Sequence, residues 1–182
     1  MSSVQSPIPH FEPTSSALKL YFYRMQPTDI SDVLAIENDV YPFPWTRGNF
    51  LDSINSGYET WILRDGSGTL NGYFLLMPSV DEAHLLNITV HRDLHGKGIG
   101  LLLLNKAKAI AMERKLEAIL LEVRPSNTRA EKIYQRYGFT RIGVRKGYYP
   151  APNNQREDAL VMKLAFCLLY TSDAADDSLR VD

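Results

Sequence analysis

Along this chain, apolar residues recur at every second position in some stretches and at every third or fourth in others, so its elements can be read in order. Leu18 to Met25 alternates aromatic and apolar residues with polar ones and predicts a first strand. Thr28-Asp29 opens a helix with Thr28 as its cap and Ile30, Val33 and Leu34 on its apolar face. The chain breaks at Tyr41-Pro42-Phe43-Pro44-Trp45, and Gly48 to Ile54 predicts a second short helix. Glu59 to Arg64 and Asn71 to Pro78 read as strands of one hairpin, turned at Asp65-Gly66-Ser67-Gly68. Ala83 to Val90 is the next strand and feeds a glycine-rich turn. The helix that follows, from Ile99 to Leu116, puts Leu103, Ala107, Ile110 and Ala111 on one face and most of its charges elsewhere. Ala118 to Val123 is a short apolar strand, and a helix from Thr128 to Tyr137 stops at Gly138. Strands at Thr140 to Tyr148 and Asp158 to Leu164 complete the pattern. This order predicts an α/β fold around a single mixed sheet, with a parallel crossover through the glycine-turn helix.

Composition narrows the picture. With 182 residues, 45% hydrophobic and 23% charged, the chain is expected to hold one domain, over residues 18–166. Residues 1–17 are rich in Pro and Ser and are expected to form a loose tail. Cys167 to Asp176, CLLYTSDAAD, resembles the translation of a transposon adapter used in sequencing libraries, so residues 167–182 are expected to be a non-native tail. A net charge of -1 gives no global field for nucleic acid or an anionic membrane. Cys167 is the only cysteine, which excludes an internal disulfide and a Cys-rich zinc site and points to a reducing, cytoplasmic setting. No apolar run reaches the length of a membrane span, and no metal site is expected.

The chemistry concentrates around Leu94-His95-Gly96-Lys97-Gly98-Ile99-Gly100. Glycines at a strand-to-helix corner let the main chain approach a ligand, and the helix start turns unpaired N–H groups and a positive dipole end toward it. A phosphate fits that cradle. The spacing is neither the dinucleotide fingerprint G-x-G-x-x-G nor a Walker loop, which ends in Gly-Lys-Ser/Thr. Glu122 interrupts the apolar run Ile119 to Val123 and reads either as an ion-pair partner, of Arg124 or a neighbour, or as a general base. Asn127 and Tyr134, seven residues apart, share a helical face. Asn127 reads as a cap or a ligand contact, Tyr134 as core or a general acid.

These stretches resemble the GNAT acetyltransferase superfamily, carried by His95 to Gly100, by Leu121-Glu122-Val123-Arg124-Pro125-Ser126-Asn127, and by Ile133 to Phe139. Phe43-Pro44-Trp45, Asn87 to Val90, Tyr148-Tyr149-Pro150 and Arg156 to Ala159 are similar to the bacterial RimI-type N-acetyltransferases within it. The resemblance implies a mostly antiparallel, twisted sheet flanked by helices, with a splayed central pair of parallel strands. It implies acetyl-coenzyme A as co-substrate, bound through Ile88, Thr89, Val90, His95, Gly96, Lys97, Gly98, Ile99, Gly100 and Asn127. His95 stands where the superfamily usually has Gln or Arg. It further implies catalysis by Glu122 as base and Tyr134 as acid, and a peptide held between Trp45 and the pair Tyr148 and Tyr149. The implied acceptor is the N-terminal alanine of a small-subunit ribosomal protein, modified by a monomer without direct nucleic-acid contact.

Three other readings remain open on sequence alone, one of them an interaction protein whose main role is assembly on the ribosome. A GNAT enzyme acting on lysine or a small amine shares every motif, and a non-catalytic acyl-coenzyme A sensor keeps the glycine turn without needing Glu122 and Tyr134.

Overall fold

The computed structural model describes residues 19–166. The tails expected at 1–17 and 167–182 lie outside the described residues, as does Leu18. The elements are β1 (Leu20–Arg24), α1 (Ile30–Val40), α2 (Arg47–Asn55), β2 (Glu59–Asp65), β3 (Leu70–Pro78), β4 (Glu82–Val90), α3 (Ile99–Glu113), β5 (Ala118–Val123), α4 (Thr128–Tyr137), β6 (Thr140–Ala151) and β7 (Gln155–Ala165). They form a seven-stranded sheet in the order β1-β2-β3-β4-β5-β7-β6, antiparallel except for the β4–β5 pair. No helix among the described residues is long and apolar enough to cross a membrane.

Successive residues of β3 enter different cores, as strand alternation requires. Phe74 and Leu76 pack with Leu103, Ala107 and Ile110 of α3, while Tyr73 and Leu75 pack with Val33 and Ile36 of α1 and Phe50 of α2. The sheet is therefore covered on both faces.

Most element boundaries agree with the periodicity, and β5 and α4 span the predicted residues. Thr28 does not cap α1. It lies inside a 3₁₀ turn, Pro27–Asp29, where the Asp29 carboxylate accepts a 2.7 Å bond from the Gln26 N–H. The α2 start does carry a side-chain cap, because Thr46 and Asn49 satisfy one another's backbone N–H groups. Helix α3 ends earlier than predicted, and Lys115 just beyond it takes a left-handed φ of 59°.

The sheet parts at its centre. Parallel pairing joins Glu82 to Leu85 of β4 with Ala118 to Leu121 of β5 and then stops. On the other side of β4, Leu75 pairs with Asn87 but Leu76 pairs with Leu85, so Leu86 is an inserted residue. Such a bulge bends its strand and raises its local twist. Asn87 to Val90 consequently run beside β3 alone, and their far edge opens away from β5.

Gly72 makes the close approach behind this edge. It pairs with Val90, and a Cβ there would sit 2.8 Å from the Thr89 carbonyl oxygen and 3.1 Å from Leu103 Cδ1. Neither the backbone oxygen nor the packed leucine can yield cheaply. Gly72→Ala is expected to destabilise the fold by about 1–3 kcal/mol in urea unfolding; an unchanged midpoint would show that β4 is free to shift.

Candidate active site

The open edge of β4 leads into a 3₁₀ turn at Arg92–Leu94, then into the glycine turn, then into α3. Gly96 and Gly98 have φ of +77° and +82°, and Gly98 occupies the N-cap of α3 without a side chain to block its first N–H groups. The predicted anion cradle is thus built in backbone. His95 folds back so that Nε2 lies 2.9 Å from the Val90 carbonyl oxygen, tying the turn to the strand end.

A cleft of about 190 Å³ lies between this turn, β4 and α4. It brings together Ile88, Thr89, Val90, His95, Gly96, Gly100, Asn127 and Tyr134. Ile99 is elsewhere, with its side chain in the core, and Lys97 is exposed and not part of the lining. Asn127 also caps α4, its Oδ1 accepting from the Ala130 N–H at 3.2 Å, so a ligand would be met by Nδ2. Arg129, which sequence reasoning passed over, lines the cleft, its guanidinium 3.7 Å from where a Cβ on Gly96 would be. No ion pair engages Arg129 among the described residues.

Glu122 follows the last β5 residue paired to β4, so it sits at the apex of the opening. Its side chain is 8% exposed, and Oε2 lies 2.5 Å from His84 Nε2. Oε1 is 3.2 Å from Arg145 Nε, yet it is buried without an aligned hydrogen bond, so the arginine supplies charge rather than a proton contact. The expected partner Arg124 turns elsewhere. It donates to the Pro150 carbonyl and to Glu157 and stacks over Tyr149 at 4.3 Å and Phe43 at 5.5 Å.

Tyrosines crowd the same opening. Burial pushes the Tyr134 hydroxyl above its usual value, with Tyr41 and Tyr149 adding to the effect. Tyr149 is raised by burial first and by the Glu122 charge next. Burial pushes Tyr41 up to about 12, and its hydroxyl donates to the Ile88 carbonyl at 3.1 Å. Tyr149 is thus within electrostatic reach of both Tyr134 and Glu122.

The outer wall is a distorted part of the β6–β7 hairpin. Arg145 pairs with Ala159 and Tyr149 with Glu157, so three residues, Lys146, Gly147 and Tyr148, face Asp158 alone. Asp158 accepts from the Gly147 N–H at 2.8 Å, and Arg156 donates to the Gly147 and Tyr148 carbonyls at 2.8 Å each. This hub turns Tyr148 outward, 43% exposed and edge-on to Tyr149 at 4.9 Å. Opposite, Trp45 packs on Phe50 at 5.4 Å rather than lining the cleft, and Phe43 is the loop aromatic that reaches Arg124.

Glu37 holds that loop. Only 1% exposed, its carboxylate accepts from the Trp45 N–H at 2.9 Å, from the Tyr73 hydroxyl and from Asn87 Nδ2. Asn87 in turn accepts from the Thr89 hydroxyl, which lies 3.0 Å from the Tyr41 hydroxyl. Glu37, His84 and Arg129 are the contributors that sequence reasoning missed as side chains of this region, while Asn87 and Arg124 were singled out without these partners. Their only signal was polarity inside an otherwise apolar pattern.

The chain matches the Acetyltransferase (GNAT) family over residues 30–139. It is 32% identical over 139 residues to the ribosomal protein bS18-alanine N-acetyltransferase of Haemophilus influenzae, covering 76% of this chain and 94% of that one. The corresponding Escherichia coli protein is 31% identical over 140 residues, covering 77% of this chain and 93% of its own. The crystal structure of the ribosomal-protein-S18-alanine N-acetyltransferase from Escherichia coli superposes with a TM-score of 0.73 at 30% identity, covering 80% of this chain and 93% of that one.

Two outcomes follow from these side-chain networks. Glu37→Ala leaves three buried donors without an acceptor, at about 1–3 kcal/mol for each one left unpaired. A clear fall in the urea midpoint is expected for Glu37→Ala, and wild-type stability would contradict it. Hydrogen bonding from Ser126, then Arg124, holds Glu157 below its usual value, and the Gly147 N–H, then Lys146, does the same for Asp158. Depressed carboxyls stabilise the fold above their unfolded values, near ~4, and lose that contribution as pH falls through the lowered folded values. The acid limb of Tm against pH should therefore be shallower in Glu157→Gln/Asp158→Asn than in wild type.

Proposed function

Given that the chain belongs to the GNAT acetyltransferase family and is an acetyl-coenzyme A-dependent N-acetyltransferase, we propose that it acetylates the α-amino group of an N-terminal alanine on a small-subunit ribosomal protein. The observations that carry this reading are the buried Glu122 oxygen without a hydrogen bond where β4–β5 pairing ends, and Tyr134 lining the cleft along the open edge of β4.

The residues present fit the co-substrate. The left-handed glycines, the first N–H groups of α3 and the ion-pair-free Arg129 form a cationic cradle suited to a pyrophosphate. The edge of Ile88 to Val90, unpaired by β5, offers main-chain groups to an extended amide-bearing arm. A cleft of about 190 Å³ beside the turn would take the acyl end of such a molecule. Bound there, the thioester supplies an activated acetyl group.

Glu122 handles the first proton. An α-amine has a pKa near ~8 and is mostly protonated at neutral pH, so a base must free its lone pair before attack. The Glu122 Oε1 atom has room in its hydrogen bonding for that proton. Tyr134 handles the second. Its raised pKa keeps it protonated through neutral pH, as a donor to a departing thiolate must be. Phe43 and Tyr149, both under the Arg124 guanidinium, and Tyr148 beside Tyr149 offer aromatic walls for a short extended N-terminus.

The test is the position of the acetyl group. Peptides beginning with Ala, Ser, Met or a blocked terminus, each with and without an internal lysine, are incubated with acetyl-coenzyme A and mapped by mass spectrometry. Product confined to the free alanine terminus is expected, whereas lysine labelling would move the acceptor to a side chain. At saturating substrates, Glu122→Gln is expected to lose about 10²–10⁴-fold in kcat and Tyr134→Phe a comparable factor. Wild-type turnover in both would overturn these roles.

A further inference from the structure

Glu122 has a second neighbour that the two-proton scheme does not use. His84 Nε2 lies 2.5 Å from Glu122 Oε2, opposite the oxygen that awaits the amine proton. His84 is 20% exposed at its side chain, against 8% for Glu122, and it lines a second cavity of about 400 Å³ on the far side. That cavity is walled on one part by Ser79, Asp81, Glu82 and Glu117 and on another by Met77, Val80, Ala83 and Leu120, and it shares no residue with the first cleft. The imidazole thus stands between a buried carboxylate and a polar chamber roomy enough for water.

We propose that His84 exports the proton of each turnover, receiving it from Glu122 and releasing it through the second cavity. This rests on Glu122 being the base. Every acetylation at neutral pH frees one proton from the acceptor ammonium, and a carboxylate buried beneath substrate must lose that proton before it can act again. The N–H bond of the ammonium breaks and the proton joins Glu122 Oε1. Rotation of the carboxyl group about Cγ–Cδ then carries that O–H round to His84, and the proton passes to Nε2 while His84 Nδ1 gives its own proton to water in the second cavity. Glu122 returns to the carboxylate, and His84, once the ring has reset, to its starting tautomer. The step requires neutral His84 to carry its proton on Nδ1 when it accepts at Nε2.

The charges around the imidazole suit such a relay. Glu122 on β5 and Arg145 on β6 lie on one side. Asp81, Glu82 and Glu117 line the cavity on the other, with Glu82 paired to Lys163 of β7 at 2.5 Å. The unpaired acidic groups favour a proton moving outward, and Arg145 beside Glu122 Oε1 disfavours its return. After the transfer Nε2 carries the proton and donates to the Glu122 carboxylate, so in that tautomer His84 is a positioning residue as well.

A clamp and a relay differ under substitution. His84→Gln retains a hydrogen-bond donor but cannot accept and release a proton, while His84→Ala leaves space for a small base. With the alanine-terminated peptide and acetyl-coenzyme A, His84→Gln is expected to lose about 10- to 100-fold in kcat with both KM values within about twofold of wild type. Added imidazole is expected to restore His84→Ala in proportion to its concentration. Wild-type kcat and an unaltered pH profile in His84→Gln, or a loss confined to KM, would overturn the relay. Glu122→Gln run alongside separates the two readings. If it is inactive while His84→Gln is wild type, the relay alone falls, and if it is fully active, the base assignment falls and takes the relay with it.

Discussion

Hydrogen bonding between β4 and β5 stops at Leu85 and Leu121, and everything functional in the fold is arranged around that stop. A continuous parallel pair would occupy both strand edges and leave no route between the faces of the sheet. The inserted Leu86 bends β4, and from Asn87 onward its outer edge has no strand beside it. An unpaired strand edge would ordinarily invite association. Here it lies inward, between α4 and the glycine turn, where it faces a cleft instead of solvent or another chain. Tyr134 of α4 and Tyr149 of β6 come within electrostatic reach of one another at this opening.

Holding the gap open takes a second set of interactions. Glu37, buried beneath α1, gathers the Trp45 backbone, Tyr73 and Asn87, so the loop after α1 and the bent part of β4 share one acceptor. On the opposite wall Arg124 does the complementary job with a cation: it touches Phe43, Tyr149, Pro150 and Glu157 at once. A buried carboxylate on one side and a half-buried guanidinium on the other fix the aromatic walls relative to the strand edge. Both are paired with several partners, which is what keeps charged groups tolerable so close to the core.

Much of this was legible in sequence because it is local. Period-two and period-3.6 patterns set the strands and helices, Gly138 set the end of α4 at φ of 118°, and the alternating glycines marked the anion cradle. Capping was less legible, since Thr28 and Asp29 present the same signal and only the 3₁₀ turn decides between them. The β6–β7 hairpin ran beyond the predicted ends because Pro150 reads as a breaker, although an edge strand tolerates it. Side-chain partnerships were not legible at all. His84 and Glu122 are 38 positions apart and Glu37 and Asn87 are 50 apart, so their contacts depend on strand order and on the bulge at Leu86, neither of which periodicity encodes.

The two sides of the opening depend on different parts of the amino acid. The β4 edge and the glycine turn present peptide groups, whose chemistry is the same whatever residue carries them. Residues such as Ile88, Val90 and Ile99 are constrained there by packing, so their identities can drift among side chains of similar shape without altering what the backbone offers. The Glu122 side has no such freedom if the proposed chemistry holds, because that chemistry lies in particular oxygens and nitrogens at particular separations. Descent with modification should therefore treat the halves unequally: the cradle persists through extensive sequence change, while new acceptor preferences arise from a handful of substitutions on β5, β6 and the loop after α1.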